Sequence, residues 1–247
     1  MLRRTAWLLL ALLTVLAAPA STLATAASPL PSFEAHYTLS FNGLNVATVV
    51  RSLRPDGAKQ YIFESVTEPT GVLSIVRDDR IREVSQWVYA DNGRVRPVHY
   101  SYHHSGSKRD RQAELSFDWT KGEVQNMVEN EPWTMEIPPG TQDKLGYMLE
   151  LMLDLRANRA PLEYPVADGG RLKVYSAVRK GEEELDTPLG KLHTIKVQRE
   201  PDHKGRVTTL WCAESLAYLP VRIEHREHDG SVYTAEITAV SGPVVRP

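Results

Sequence analysis

Between Thr141 and Ala160 the run TQDKLGYMLELMLDLRANRA is the one stretch beyond residue 26 whose apolar residues recur with a helical period. At about 100° per residue, Leu145, Met148, Leu149, Leu151, Met152, Leu153 and Leu155 spread over roughly 200° of the helix. Asp143, Tyr147, Glu150 and Asp154 fall on the remainder. A helix lying on one flat sheet needs a stripe only a little over ~100° wide. So broad an arc calls for a curved surface, or a cavity to close over. Pro138, Pro139 and Gly140 end the preceding strand, the helix start is set at Thr141, Gln142 and Asp143 with Thr141 or Asp143 as the cap, and Pro161 stops the far end.

Nearly everything else reads as strand. Phe33, Ala35, Tyr37, Leu39 and Phe41 alternate with polar residues, and Asn42-Gly43 supplies the two positive-φ positions of a tight hairpin turn. Further strands follow at Leu44–Leu53, Tyr61–Val66, Asp79–Ala90, Val98–Tyr102, Ala113–Trp119, Val124–Val128 and Trp133–Ile137, with Val72–Val76 as either strand or a helical turn. Roughly eight or nine strands thus precede the helix. Beyond it, Leu162–Val166, Leu172–Val178 and the runs around Ile195, Trp211, Val221 and Ile237 resume the alternation, punctuated by Asp168-Gly169-Gly170, Thr187-Pro188-Leu189-Gly190 and Asp229-Gly230. No linker and no fixed-period repeat divides the chain. Open sheets of more than about ten strands curl. The expected fold is therefore mainly β: one long curled antiparallel sheet, like a half-barrel, with an amphipathic helix on its concave side. It forms a single domain over residues 27–247 with an ordered core over about 33–240.

The first residues carry a different signal. Arg3 and Arg4, the apolar run Ala6–Ala18 and the small-residue site Ala24-Thr25-Ala26 read as a secretory signal peptide cleaved before Ala27, or alternatively after Ala20. This predicts a periplasmic protein exported by the general secretion route, without a transmembrane span after cleavage. Removing 26 of 247 residues leaves 27 Lys and Arg against 31 Asp and Glu. Scattered and nearly balanced, these charges form no basic stripe for nucleic acid. The one cysteine, Cys212, has no disulfide partner and reads as a small apolar core group.

Phe117-Asp118-Trp119, then Pro139-Gly140-Thr141-Gln142-Asp143 opening the Leu-rich helix, then Thr187-Pro188-Leu189-Gly190 with Trp211 and Leu219-Pro220-Val221-Arg222 together resemble the bacterial envelope family known as domain of unknown function 3108. The likeness spans Phe33 to about Val240 and implies an envelope protein rather than a reaction. Trp211, Leu219–Ile223 and the Asp229-Gly230 hairpin more distantly resemble the closing strands of periplasmic lipoprotein carriers, which hold acyl chains between a half-open barrel and a helix. The present chain has more strands and only one helix, so that likeness concerns fold alone.

No G-x-S-x-G elbow, glycine-rich phosphate loop or H-E-x-x-H is present. His99 and His103 lie about 13 Å apart along a strand, too far to share an ion. Asp143, Glu150 and Asp154, spaced by seven and four residues, read as a solvated helix face. No catalytic residue, metal ligand or cofactor is assigned. The aromatic and methionine residues remain: Tyr37, Phe41, Phe117, Trp119, Trp133, Leu145, Met148, Met152 and Trp211 either pack a core or line a cavity for an apolar or lipid-like ligand. Three functions follow in order: a non-enzymatic binder of an apolar or amphipathic envelope component, an envelope structural or protein-interaction module, and a hydrolase.

Overall fold

The computed structural model describes residues 29–71, 79–106, 110–128, 131–201 and 205–242. The signal segment, the Val72–Val76 run and the tail after Gly242 lie outside the described residues. Nine strands precede the helix among the described residues: β1 (Phe33–Phe41), β2 (Leu44–Asp56), β3 (Gln60–Pro69), β4 (Arg80–Tyr89), β5 (Val95–Ser105), β6 (Arg111–Asp118), β7 (Glu123–Val128), β8 (Glu131–Glu136) and β9 (Gln142–Asp143). The helix α1 (Tyr147–Arg156) leads to β10 (Leu162–Asp168), β11 (Arg171–Thr187), β12 (Gly190–Arg199), β13 (Val207–Ala213), β14 (Leu219–Arg226) and β15 (Val232–Ser241).

All fifteen described strands form one sheet in which sequence neighbours pair except β8 and β9, and β1 pairs with β15, so the two sheet edges are β8 and β9. Every pairing is antiparallel except β9 with β10, where Gln142 and Asp143 lie beside Val166 and Ala167. The meander follows from the turns. Asn42 and Gly43 adopt φ of 47° and 82°, the conformation a two-residue hairpin requires. Strand β11 runs past its expected end at Val178 to Thr187, because its second half, from Ala177 on, pairs with β12, with a register shift between Arg179 and Gly181.

Alternation places Phe33, Ala35, Tyr37, Leu115 and Phe117 inside and Glu34, His36, Glu114 and Ser116 outside. Their common core partner is α1, in which every residue from Tyr147 to Leu155 is buried. A helix enclosed on all sides is a core element, and the wide apolar arc read from the sequence is the local half of that fact.

The sheet does not close by hydrogen bonds. Its edge strand β8 instead meets the β10–β11 turn through a side chain: a Cβ on Gly170 in that turn would collide with the indole of Trp133 on β8. Gly170 also has φ of 76°, which disfavours any side chain. Gly170→Ala is expected to destabilise by about 1–3 kcal/mol, and Trp133→Ala in the same chain to recover about 0.5 kcal/mol or more of coupling. A double-mutant cycle by urea unfolding reads this directly. Additive single effects would mean that the indole does not bridge the seam.

Candidate functional site

The helix begins at Tyr147 with Gly146 as its N-cap, not at Thr141–Asp143 as expected. The reason is local competition. Gln142 and Asp143 are extended and paired with β10, and the Asp143 carboxylate takes the amides of Leu145 and Gly146 at 2.8 and 2.6 Å, turning the chain before the helix starts. Ser85 Oγ donates to its other oxygen at 2.5 Å. A Cβ at Gly146 would be tight here, 3.2 Å from both Asp143 oxygens and 3.3 Å from Gln142 Oε1. Thr141 Oγ1 donates to Pro138 O in the preceding turn.

The acidic face of α1 is the largest departure from expectation. Asp143, Glu150 and Asp154 are 0%, 1% and 3% exposed, not solvated. Glu150 accepts from the Val95 amide, and its Oε2 lies 2.6 Å from Arg94 Nη2 yet off the line of any N–H, so that oxygen is charge-paired without an aligned hydrogen bond. Asp154 binds both Arg94 nitrogens and the Tyr164 hydroxyl, with Arg159 at 3.5 Å. A carboxylate buried without such partners would cost several kcal/mol. Arg94, supplied by the β4–β5 hairpin, is what allows α1 to carry acids into the core.

Beside this network opens a cleft of about 290 Å³ whose walls include Asn92, Arg94, Arg96, Trp119, Gln142 and Glu150. Gln142 Nε2 donates to Val95 O at 2.8 Å and Gly140 O at 3.1 Å, which fixes the amide and leaves its buried Oε1 without a partner. Above the start of α1, Tyr100 donates to Glu83 at 2.6 Å, Lys144 lies 4.0 Å from Glu83, and Lys173 and Tyr175 share Asp168. Burial and the Glu83 charge push the Tyr100 phenol far up, so it serves as a hydrogen-bond donor and not as a phenolate.

The nine aromatic and methionine candidates do not converge on one cavity. Tyr37, Phe117, Leu145, Met148 and Met152 pack together in the core around α1. The Tyr37 hydroxyl donates to Pro220 O, and burial pushes its pKa to about 12. Phe41 packs on Tyr233 at the far end of β1. Trp119 stacks on Phe117 and its indole donates to Pro97 O at 2.6 Å. Trp133 is at the seam. Trp211 was expected inside, but Leu210 and Cys212 take the inward positions. Its indole is covered instead by Lys196 and Arg222 at 4.8 and 5.8 Å and donates to Glu183. Such cation–π cover buries an aromatic ring on an outer face.

Burial pushes the Asp143 carboxyl up to about 6, against the pull of Ser85 and the two amides. It pushes Glu150 up to about 7, against Arg94 and the Val95 amide. Carboxyls with raised folded pKa values hold protons more tightly in the native state. Their contribution is therefore fully present below the unfolded values near 4 and is lost as pH rises through about 6 to 7. Stability is expected to fall by roughly 2–3 kcal/mol between pH 4.5 and pH 8 through each group. Urea unfolding across that range should show the decline, and Glu150→Gln should remove about half of it. An unchanged slope in that variant would refute the assignment.

Among the described residues no group of three His, Cys, Asp or Glu is placed to hold a metal ion, and no helix is long and apolar enough to cross a membrane. No curated protein matches the chain. Among solved structures it is similar to a β-barrel-like protein of domain of unknown function DUF1849 from Brucella abortus, with a TM-score of 0.57 and 11% identity over 86% of this chain and 98% of that one. At that identity the likeness shows the barrel-like fold alone. The family model described as "Protein of unknown function (DUF3108)" matches residues 33–238, and with most of the chain covered, from β1 into β15, the protein belongs to that family.

Proposed function

We propose that this is a non-enzymatic binding protein of the bacterial periplasm, exported with its first 26 residues removed, and that its ligand is an apolar or amphipathic envelope component. The observation that carries the reading is where the exposed apolar side chains gather. Five of the seven large hydrophobic residues exposed among the described residues, Met127, Trp133, Leu172, Val174 and Val178, belong to β7, the edge strand β8 and β11, and Trp133 meets the β10–β11 turn at Gly170, from which Leu172 and Val174 follow. Exposed apolar residues grouped in this way mark interaction sites. The space between sheet and helix is taken by α1 itself, so the ligand's apolar part lies along the seam and not in an interior cavity.

Native mass spectrometry of the mature protein from its own periplasm, followed by lipid extraction, tests this. A stoichiometric apolar adduct is expected in the native chain. It should be reduced about tenfold in Leu172→Asp/Val174→Asp, whose side chains are exposed enough to leave folding intact. A clean apo mass would sink the reading.

A second reading has its own support. Strand β8 ends the sheet, and β9 pairs with only Val166 and Ala167 of β10, so main-chain edge remains on both sides of the seam. An extended segment of a partner protein adding to that edge is the interaction such edges favour, and an apo mass together with a co-purifying protein would move the assignment there.

A further inference from the structure

Strand β11 changes partners along its length. Residues 171–177 pair with β10 and residues 177–187 with β12, so before Ala177 its edge toward β12 carries no paired strand among the described residues. The last bond across this split runs from the Glu200 amide to Ser176 O at 2.8 Å. Successive residues of a strand direct their N–H and C=O to opposite sides, so Val174, two positions before Ser176, also points its main chain into the split. A pocket of about 380 Å³ opens there, walled by Asp168, Lys173, Val174, Tyr175, Arg199 and Arg206, with Glu200 beside them.

The charges of this wall are unevenly matched. Asp168 takes Lys173 at 2.7 Å and the Tyr175 hydroxyl at 2.9 Å. Burial raises its carboxyl, but Lys173, Lys144 and Tyr175 together hold it below the ordinary value, so it is an anion with cations of its own. Lys173 gives Asp168 one of the three donors an ammonium carries. Arg199 is placed differently: its guanidinium lies 4.2 Å from the centre of the Tyr175 ring, and no ion pair joins it to a carboxylate among the described residues. Glu200 is exposed, where water and salt screen its charge. A cation in the pocket would meet Lys173, Arg199 and Arg206, whereas a guanidinium laid on a ring offers its fork of donors to a carboxylate or phosphate. The same wall includes Val174, 63% exposed, from which Leu172 continues the apolar strip. We infer that the split between β11 and β12 holds the anionic head of an amphiphile, a carboxylate or phosphate accepting from Arg199, Lys173 and the Val174 amide, with its chain on Val174 and Leu172. The inference rests on the reading of that strip as the ligand's apolar site.

Octyl phosphate, octanoate and octyl glucoside carry closely matched chains on two anionic heads and one neutral one. Ligand-observed NMR titrations of the full mature chain with each, below its micellar concentration, test the site. At least one anion is expected to bind about tenfold more tightly than the glucoside, and the tighter of the two identifies the head. Inorganic phosphate should compete with that anion and leave the glucoside in place. Arg199→Gln should cost the anion about tenfold and leave the glucoside unchanged. The comparison of heads is made in the unaltered protein, so a misfolded variant does not decide the outcome. Equal binding of all three probes would overturn the inference and leave the reading of the apolar strip standing, and so would an anion preference indifferent to Arg199→Gln in a folded variant. Binding of none would overturn both.

Discussion

The ion pairs between Arg94 and the two acids of α1 are the interaction on which the rest of the structure depends. Enclosing a ten-residue helix inside a curled sheet removes its polar face from water together with its apolar one. The apolar face gains by that transfer, at about 25 cal/mol per Å² buried. The acidic face would undo the gain unless its carboxylates found partners. Arg94, the Val95 amide and the Tyr164 hydroxyl provide them, and they come from the β4–β5 hairpin and from β10. Those bonds also fix where α1 sits. Leucine packing alone tolerates sliding, whereas a guanidinium held by two carboxylates does not.

The start of the helix obeys the same logic. Asp143 is wholly buried, so its oxygens must be filled locally, by the Leu145 and Gly146 amides and by Ser85 from β4. That arrangement is what turns the chain from a short parallel strand into the helix. It also makes a side chain at Gly146 tight, because the carboxylate and the Gln142 amide stand beside that position. Among the described residues, buried polar atoms without an aligned partner remain on Arg51, Trp87, Asn126, Gln142 and Glu150, and exposed apolar side chains on β7, β8 and β11.

The architecture was legible in the sequence because it is set by local rules. Strict alternation marks a strand with one dry face, Asn-Gly and Asp-Gly mark hairpins, and a meander that long must curl. The residues between Phe117 and Asp143 and near Leu219 carried the family likeness, and the match across residues 33–238 agrees with it. The limits of the helix were less legible. Thr141 and Asp143 have the side chains of good caps, and only the pairing of Gln142 and Asp143 with β10 makes them strand.

The site was the part the sequence withheld. Glu150 and Asp154 have the spacing of an exposed helix face, and nothing local distinguishes a carboxylate facing water from one facing an arginine delivered by a hairpin more than fifty residues upstream. Trp211 sits in an alternating strand and reads as core, yet its cover comes from the charged stems of Lys196 and Arg222 on neighbouring strands. By itself the sequence determined most of the strands, the meander of neighbouring hairpins, the curl of the sheet and the presence of one wide-faced helix, because those depend on period and turn geometry along the chain. Only the tertiary structure decided that the helix is swallowed whole and that its acids are paired. Each of those is a statement about which distant side chains meet.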